Sequence, residues 1–354
     1  MGQGRYRVAL VVIARDEGPR IERLLRSVSP HVDEMLVLDT GSQDDTAERA
    51  AACGARVAHF PWCDDFSAAR NAALQLASAD WHLVLDADEW LIEGGALLQS
   101  LRDQAPEFVG QIALQDHFDS GQAHARLSRL LPGPVRYQGR IHEQPQHHLP
   151  LQALPLQVGH DGYLGERLQA KRGRNAALLT QALQARPDDA YLWYQLGKDA
   201  FVYEDYVQAE AAWARAAELL AAASQGLPPW WLDLVARRLY ALKCLQCHGQ
   251  AMDLAEQQLQ ACGESPDFFF ALGDVLLDLA ADQPDQADAL LPMMEQAWRR
   301  CLDLGERPDQ SGAVQGRGSH LAAHNLALLL DACERSDEAR ALRRAYPGPD
   351  TAPA

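Results

Sequence analysis

Two kinds of hydrophobic spacing divide this chain. Over residues 6–160, short apolar runs alternate with stretches in which apolar positions recur every three or four residues. The runs Tyr6–Ala14, Glu34–Asp39, Ala55–Phe60 and Trp81–Asp86 read as buried strands. Between them, Pro19–Val28 places Ile21, Leu24, Leu25 and Val28 on one helical face. Asp44–Cys53 follows Gly41-Ser42 with residues suited to a helical first turn, and Phe66–Ala79 reads as a third helix. Strands alternating with helices predict βαβ units and a mainly parallel sheet. Gly110–Phe118 and Leu154–His160 read as later strands of the same domain.

From about residue 166 helical periodicity and alanine-rich composition take over. Residues 190–220 fit the tetratricopeptide pattern, with Trp193, Leu196-Gly197, Ala209, Trp213 and Ala216 at the expected offsets. Small residues let two antiparallel helices approach, and large ones fill the space between them. Weaker copies open at Phe269 with Leu272-Gly273 and at Leu326-Ala327 with Ala339, and 230–262 reads as a degenerate pair. Such repeats bury their faces only against neighbours, so about three or four units are expected. The expected domains are 1–165, 166–346 and a frayed tail at 347–354.

Composition narrows the function. The 354-residue chain carries a net charge of −17, which argues against general nucleic-acid binding. Residues 126–174 depart from this, with Arg126, Arg129, Arg136, Arg140, Arg167, Lys171, Arg172 and Arg174 against Glu143, Asp161 and Glu166. That basic island suits a phosphate-bearing small molecule, or is a solvated surface. No apolar stretch is long enough for a transmembrane segment, and the N-terminus has no signal-peptide core, so a cytoplasmic protein is expected. Seven cysteines form no framework, and Cys244-Leu-Gln-Cys247 has no second pair at metal-ligand spacing.

Each early strand ends in a polar cluster. The first ends in Ala14-Arg15-Asp16-Glu17, the second in Asp39-Thr40-Gly41-Ser42, the fourth in Asp86-Ala87-Asp88. Parallel strands bring such ends to one sheet edge, where open α/β folds hold ligands. Acids at positions i and i+2 can together hold a hard divalent cation. Arg70, entering a helix, could meet a phosphate as a bidentate donor, or pair with Asp64 or Asp65. Asp39 reads equally as a turn cap. No P-loop and no dinucleotide-binding glycine motif is present.

The ordered set Ala14-Arg15-Asp16-Glu17, Leu38-Asp39-Thr40-Gly41-Ser42, Asp65-Phe66-Ser67-Ala68-Ala69-Arg70-Asn71 and Leu85-Asp86-Ala87-Asp88-Glu89 resembles the family-2 glycosyltransferases with a GT-A fold. It is most similar to the bacterial subgroup with C-terminal tetratricopeptide repeats. The specific match spans about residues 7–90, with looser matches at Arg126-Leu-Ser-Arg129, Tyr137–Glu143 and His160–Tyr163. The resemblance implies an α/β GT-A domain, a Rossmann-like mixed sheet, followed by an all-α repeat domain. It implies that Glu17 and Asp39 contact the nucleoside, that Arg70 flanks the diphosphate, and that Asp86 faces the ribose or sugar. Asp88, with Asp86 and His160 as further ligands, would bind Mn²⁺ or Mg²⁺ on the diphosphate. His160 reads alternatively as a structural histidine. Relatives often carry Lys-Asn-Glu where this chain has Arg15-Asp16-Glu17, which leaves the first two roles open.

Family-2 enzymes invert the anomeric centre, so a carboxylate must accept the acceptor's proton. The Glu-Asp pair that many members place after the Asp-x-Asp motif is missing between 90 and 165. Glu143 holds the corresponding place in chain order, with Asp116 second; an ion pair with Arg140 is the other reading of Glu143. The expectation is a metal-dependent enzyme that moves a hexose from a UDP-sugar to a protein or peptide acceptor. The repeats would hold that acceptor or self-associate into a homo-oligomer. The alternatives are a glycan or lipid-linked envelope acceptor, and a non-catalytic nucleotide-sugar-binding scaffold.

Overall fold

The architecture comes from a computed structural model. It describes residues 5–118, 121–161, 173–223 and 226–348, with the side chains of 116–124 excluded. The chain forms two compact units, residues 1–185 and 186–354.

The first unit is built on a mixed sheet. Strands β1 (Val8–Ala14), β2 (Glu34–Asp39), β3 (Arg56–His59) and β4 (Trp81–Asp86) are parallel, in the order β3-β2-β1-β4. Beyond β4 the sheet continues through strands that come later in the chain: β5 (Glu89–Glu93), β6 (Val109–Phe118), β7 (Gly121–Pro132) and β10 (Leu151–His160). The order there is β4-β7-β6-β10-β5. β7 runs antiparallel to β4 and β6, and β5 antiparallel to β10. A separate ribbon pairs β8 (Arg136–Gln138) with β9 (Gln144–Gln146). The hydrophobic pattern foretold β1–β4 but not β5 or β7. Both lack long apolar runs, because β5 is an edge strand and β7 alternates polar and apolar residues.

Helices cover both faces. Successive β1 side chains point to opposite sides. Val8, Leu10 and Val12 join α1 (Gly18–Val28), α2 (Thr46–Ala52) and α4 (Gly95–Ser100) in one core, while Ala9 and Val11 join α3 (Phe66–Ala77) in another. A strand buried on both faces must be apolar throughout, which is why these runs are unbroken. Pro19 opens α1, where its missing N–H breaks no helical bond. Asp65 caps α3 by accepting from the Ala68 N–H at 2.9 Å. A further helix, α5 (Arg174–Ala185), closes the unit.

β4 and β5 are joined by Ala87 and Asp88 alone, yet β7, β6 and β10 lie between them in the sheet. Four strand spacings cover about 19 Å. The chain from Asp86 to Glu89 reaches at most about 11 Å. The sheet must therefore curl until its far edge comes back to the end of β4.

Among the described residues the second unit is four helix pairs, each joined by a short link: α6 (Ala190–Val202) with α7 (Tyr206–Ala222), α8 (Trp231–Cys244) with α9 (His248–Gln258), α10 (Pro266–Asp282) with α11 (Ala287–Leu304), and α12 (His320–Ala332) with α13 (Ser336–Ala345). Links this short fold each helix back on its partner. Close approach depends on glycine twice. A Cβ on Gly197 would lie 2.3 Å from Trp213 Nε1, and one on Gly273 would lie 2.4 Å from Trp298 Nε1. Cys244 and Cys247 end α8 and precede α9 as free thiols. Among the described residues, no helix is long and apolar enough to cross a membrane.

Candidate active site

Parallel pairing aligns the polar strand ends. Ala14 lies opposite Asp39, and Ile13 opposite Asp86. The loops after β1 and β2 are bonded to each other. The Asp16 N–H donates to Ser42 Oγ at 3.0 Å, Gln43 N–H to Asp16 Oδ1 at 2.7 Å, and Glu17 N–H to Thr46 Oγ1 at 2.8 Å. Asp16 holds a left-handed φ of 55°, a conformation that aspartate tolerates. Glu17 stands at the start of α1 with its carboxylate against Arg20.

Asp39 does cap its turn. Its Oδ1 accepts from Gly41 N–H at 2.9 Å and Ser42 N–H at 3.0 Å. Its Oδ2 is buried and makes no hydrogen bond within the protein. Burial opposes ionisation, but the bonds from Ser42 and Gly41 outweigh it and hold this carboxyl below its ordinary value.

Asp86 is the centre of a buried charge cluster drawn from five parts of the chain. Arg70 of α3 donates through Nη2 to Asp86 Oδ1 at 2.5 Å, and through Nε to Glu143. Arg129 of β7 donates through Nη2 to Asp86 Oδ2 at 2.6 Å and to Glu89 Oε1 at 3.1 Å. Glu89 Oε2 accepts the Asp86 N–H at 2.8 Å. The Arg70 guanidinium also lies 5.6 Å from the Tyr137 ring centre, and its Nη1 is buried without a partner. Burial alone would raise the Asp86 pKa, yet Arg129 and Arg70 hold it well below the carboxylate range. Glu89 goes the other way: burial pushes its carboxyl up to about 7 against the pull of Arg129, and the Asp86 charge adds to the rise.

The ion pairs that the sequence offered as alternative readings of Arg70 and Glu143 are not the ones formed. Arg70 pairs with Asp86 and Glu143, while Asp64 accepts from the Trp62 indole and Asp65 caps α3. Glu143 pairs with Arg70, and Arg140 instead offers its carbonyl to the Phe66 N–H at 2.8 Å.

Asp88 faces His160 across the curled edge, with Oδ2 3.5 Å from Nε2. In the sheet His160 lies between Glu89 of β5 and Asp116 of β6. The side chain of Asp116 is outside the described residues, as are Arg167, Lys171 and Arg172 of the basic island. Among the described residues, no three His, Cys, Asp or Glu side chains form a metal-binding group. Both Asp86 oxygens face arginines, whereas Asp88, the other acid of the motif, faces His160 of β10.

Glu89, Arg129 and Tyr137 were not singled out as site residues by the sequence. Glu89 had a signal, since it directly follows the Asp-x-Asp motif. Arg129 showed as part of a basic island and, with Tyr137, in the looser family matches, without a role.

A family model described as glycosyl transferase family 2 matches residues 9–138. A TPR repeat-containing protein of Synechococcus elongatus is 37% identical over 287 residues, covering 75% of this chain and 68% of that protein. The chain belongs to the family-2 glycosyltransferases. This family-2 glycosyltransferase is also similar to the SPbeta prophage-derived glycosyltransferase SunS of Bacillus subtilis, at 26% identity over 53% of this chain and 48% of SunS. Among solved structures, glucosyl-3-phosphoglycerate synthase from Mycobacterium tuberculosis, in complex with Mn²⁺, UDP and glucosyl-3-phosphoglycerate, is 29% identical with a TM-score of 0.26. That match covers 32% of this chain and 44% of the synthase. MamA from Desulfovibrio magneticus is 16% identical with a TM-score of 0.36, over 51% of this chain and 93% of MamA. The chain thus spans less than half the length of SunS and of the synthase.

Proposed function

We propose that this family-2 glycosyltransferase is a metal-dependent, inverting enzyme that transfers a hexose from a UDP-sugar to a protein or peptide acceptor. The observation that carries the metal assignment is the Asp88–His160 pair, 3.5 Å apart at the sheet edge that also carries Asp86. The Asp88 carboxylate suits Mn²⁺ or Mg²⁺, with phosphate oxygens and water filling most other positions, and the His160 imidazole favours Mn²⁺ over the harder Mg²⁺. When bound, the ion neutralises charge on the departing diphosphate. Asp86, held by two arginines, orients the ribose or sugar side of the donor. Asp39 and Glu17 meet the nucleoside.

Glu143 is the proposed base. It accepts the acceptor's proton as the acceptor oxygen, nitrogen or sulfur bonds to the anomeric carbon and the bond to UDP breaks. Arg70, bonded to both Glu143 and Asp86, orients the base relative to the donor. The repeats are proposed to hold the polypeptide acceptor, since stacked helix pairs make an extended concave surface.

Calorimetric titration of the intact protein with UDP, with and without Mn²⁺, tests the donor site. Metal-enhanced binding that disappears in Asp88→Asn is expected; binding indifferent to metal in both proteins would defeat the assignment. Glu143→Gln should abolish transfer and spare donor binding. Offering protein, glycan and lipid-linked acceptors to the intact enzyme tests the acceptor class, and turnover confined to the latter two would refute the polypeptide reading.

A further inference from the structure

Helix α1 joins the two ends of the proposed donor site. Its N-terminus begins after Glu17, in a loop bonded to the loop after β2 and to the start of α2. Arg23 follows six residues later, about 9 Å along the axis. There the helix grips the curled edge at three points. The Arg23 guanidinium lies 3.7 Å over the Trp90 ring of β5. Its Nη2 donates to Asp161 Oδ2 at 2.7 Å, directly after β10. One turn on, Ser27 Oγ accepts the Leu91 N–H at 3.0 Å.

These contacts bracket the Asp88–His160 pair. Trp90 follows Glu89, which lies opposite His160, and Asp161 follows His160. The Trp90 ring packs against Gly159, where an added Cβ would lie 2.4 Å from its nearest ring atom. Trp90 is therefore held between the backbone of β10 and the guanidinium of Arg23. A partly exposed ion pair adds little to folding stability. A planar guanidinium both stacked and hydrogen-bonded is instead a device for orientation.

We infer that Arg23 is a positioning residue. Through Trp90 and Asp161 it holds the ends of β5 and β10 so that Asp88 and His160 face each other. Through α1 it ties that pair to the nucleoside loop at Glu17. The inference rests on the metal assignment made above for Asp88 and His160. Removing a residue that orients metal ligands typically costs about 10- to 100-fold in metal affinity.

The test is titration of full-length protein with UDP in the absence of metal and at saturating Mn²⁺. In Arg23→Ala the Mn²⁺ enhancement should fall by about tenfold or more. Metal-free UDP affinity should stay near that of wild type, and Arg23→Lys should recover only part of the loss. Asp161→Asn, nearly isosteric, should lose enhancement in the same direction and serves if Arg23→Ala folds poorly. A thermal midpoint lowered with the Mn²⁺ enhancement intact would reduce Arg23 to a stability role and overturn the inference. If wild type itself shows UDP binding without Mn²⁺ enhancement, the metal assignment fails, and the positioning role falls with it. The two failures are distinguished by which protein shows them.

Discussion

Arg70→Met tests the charge cluster most directly. The Arg70 side chain is 6% exposed, and its partners Asp86 and Glu143 are 33% and 9% exposed. Taking one partner from a buried ion pair costs about 3–5 kcal/mol, because a charge is left stranded. Here Asp86 keeps Arg129, so the stranded charge is that of Glu143. The methionine also removes a buried cation whose Nη1 already lacks a partner. The expected loss is accordingly about 2–3 kcal/mol, at or below the low end of that range. For a unit of this size each kcal/mol moves the midpoint by about 2–4 °C, giving a fall of roughly 5–10 °C. Scanning calorimetry of the intact chain reads it. Adding Glu143→Gln to Arg70→Met should restore about 1–2 kcal/mol, since the stranded charge is gone. A fall under about 2 °C, or no recovery in the double variant, would refute the account of a buried, mutually dependent pair.

Three further outcomes follow from other contacts. His82 accepts the Ala79 N–H at Nε2, has an unpartnered Nδ1, and is held down to about 4 by burial and Arg136. Its folded-state pKa is below the ordinary 6.5, so its contribution is intact above that pH and is lost as pH falls toward 4. The loss is roughly 3 kcal/mol, and denaturant melts of His82→Gln against wild type should show a flatter acid slope. Gly197→Ala forces a methyl into the Trp213 indole and should cost about 1–3 kcal/mol, read as an earlier transition of the repeat unit. Asp86→Asn loses the charge that both arginines meet and should weaken UDP binding without metal as well as with it, whereas Asp88→Asn should weaken only the latter; equal effects in calorimetry would contradict the separate roles.

The parallel half of the sheet was legible because burial on both faces writes itself as unbroken apolar runs, and the second and fourth of these stop on acids at the sheet edge. Asp39, Asp86 and Asp88 could be picked out for that reason. The helix pairs were legible from Gly197 and Trp213, whose sizes are complementary. What stayed hidden depends on register between distant segments. Arg129 reaches Asp86 only because β7 inserts antiparallel beside β4, and Glu143 reaches Arg70 across 73 positions of sequence. No local pattern encodes either pairing. Glu89 opens a strand that no hydrophobic run marks, since β5 is short, charged at both ends and half exposed.

The two-residue link between β4 and β5 also sets an order of events during synthesis. β5 has β10 as its partner in the sheet, and β10 ends at His160. Translation at 5–20 residues per second separates Glu89 from His160 by about 4–14 s. Throughout that interval the nascent chain holds Asp86, Asp88 and Glu89 but has no strand to fix β5, and Asp88 has no histidine to face. These acids, made about 70 residues before β10 is complete, are thus among the last to be set in place. A product that terminates before β10 would carry the full recognition motif and an open strand edge, a substrate for quality control rather than a smaller enzyme.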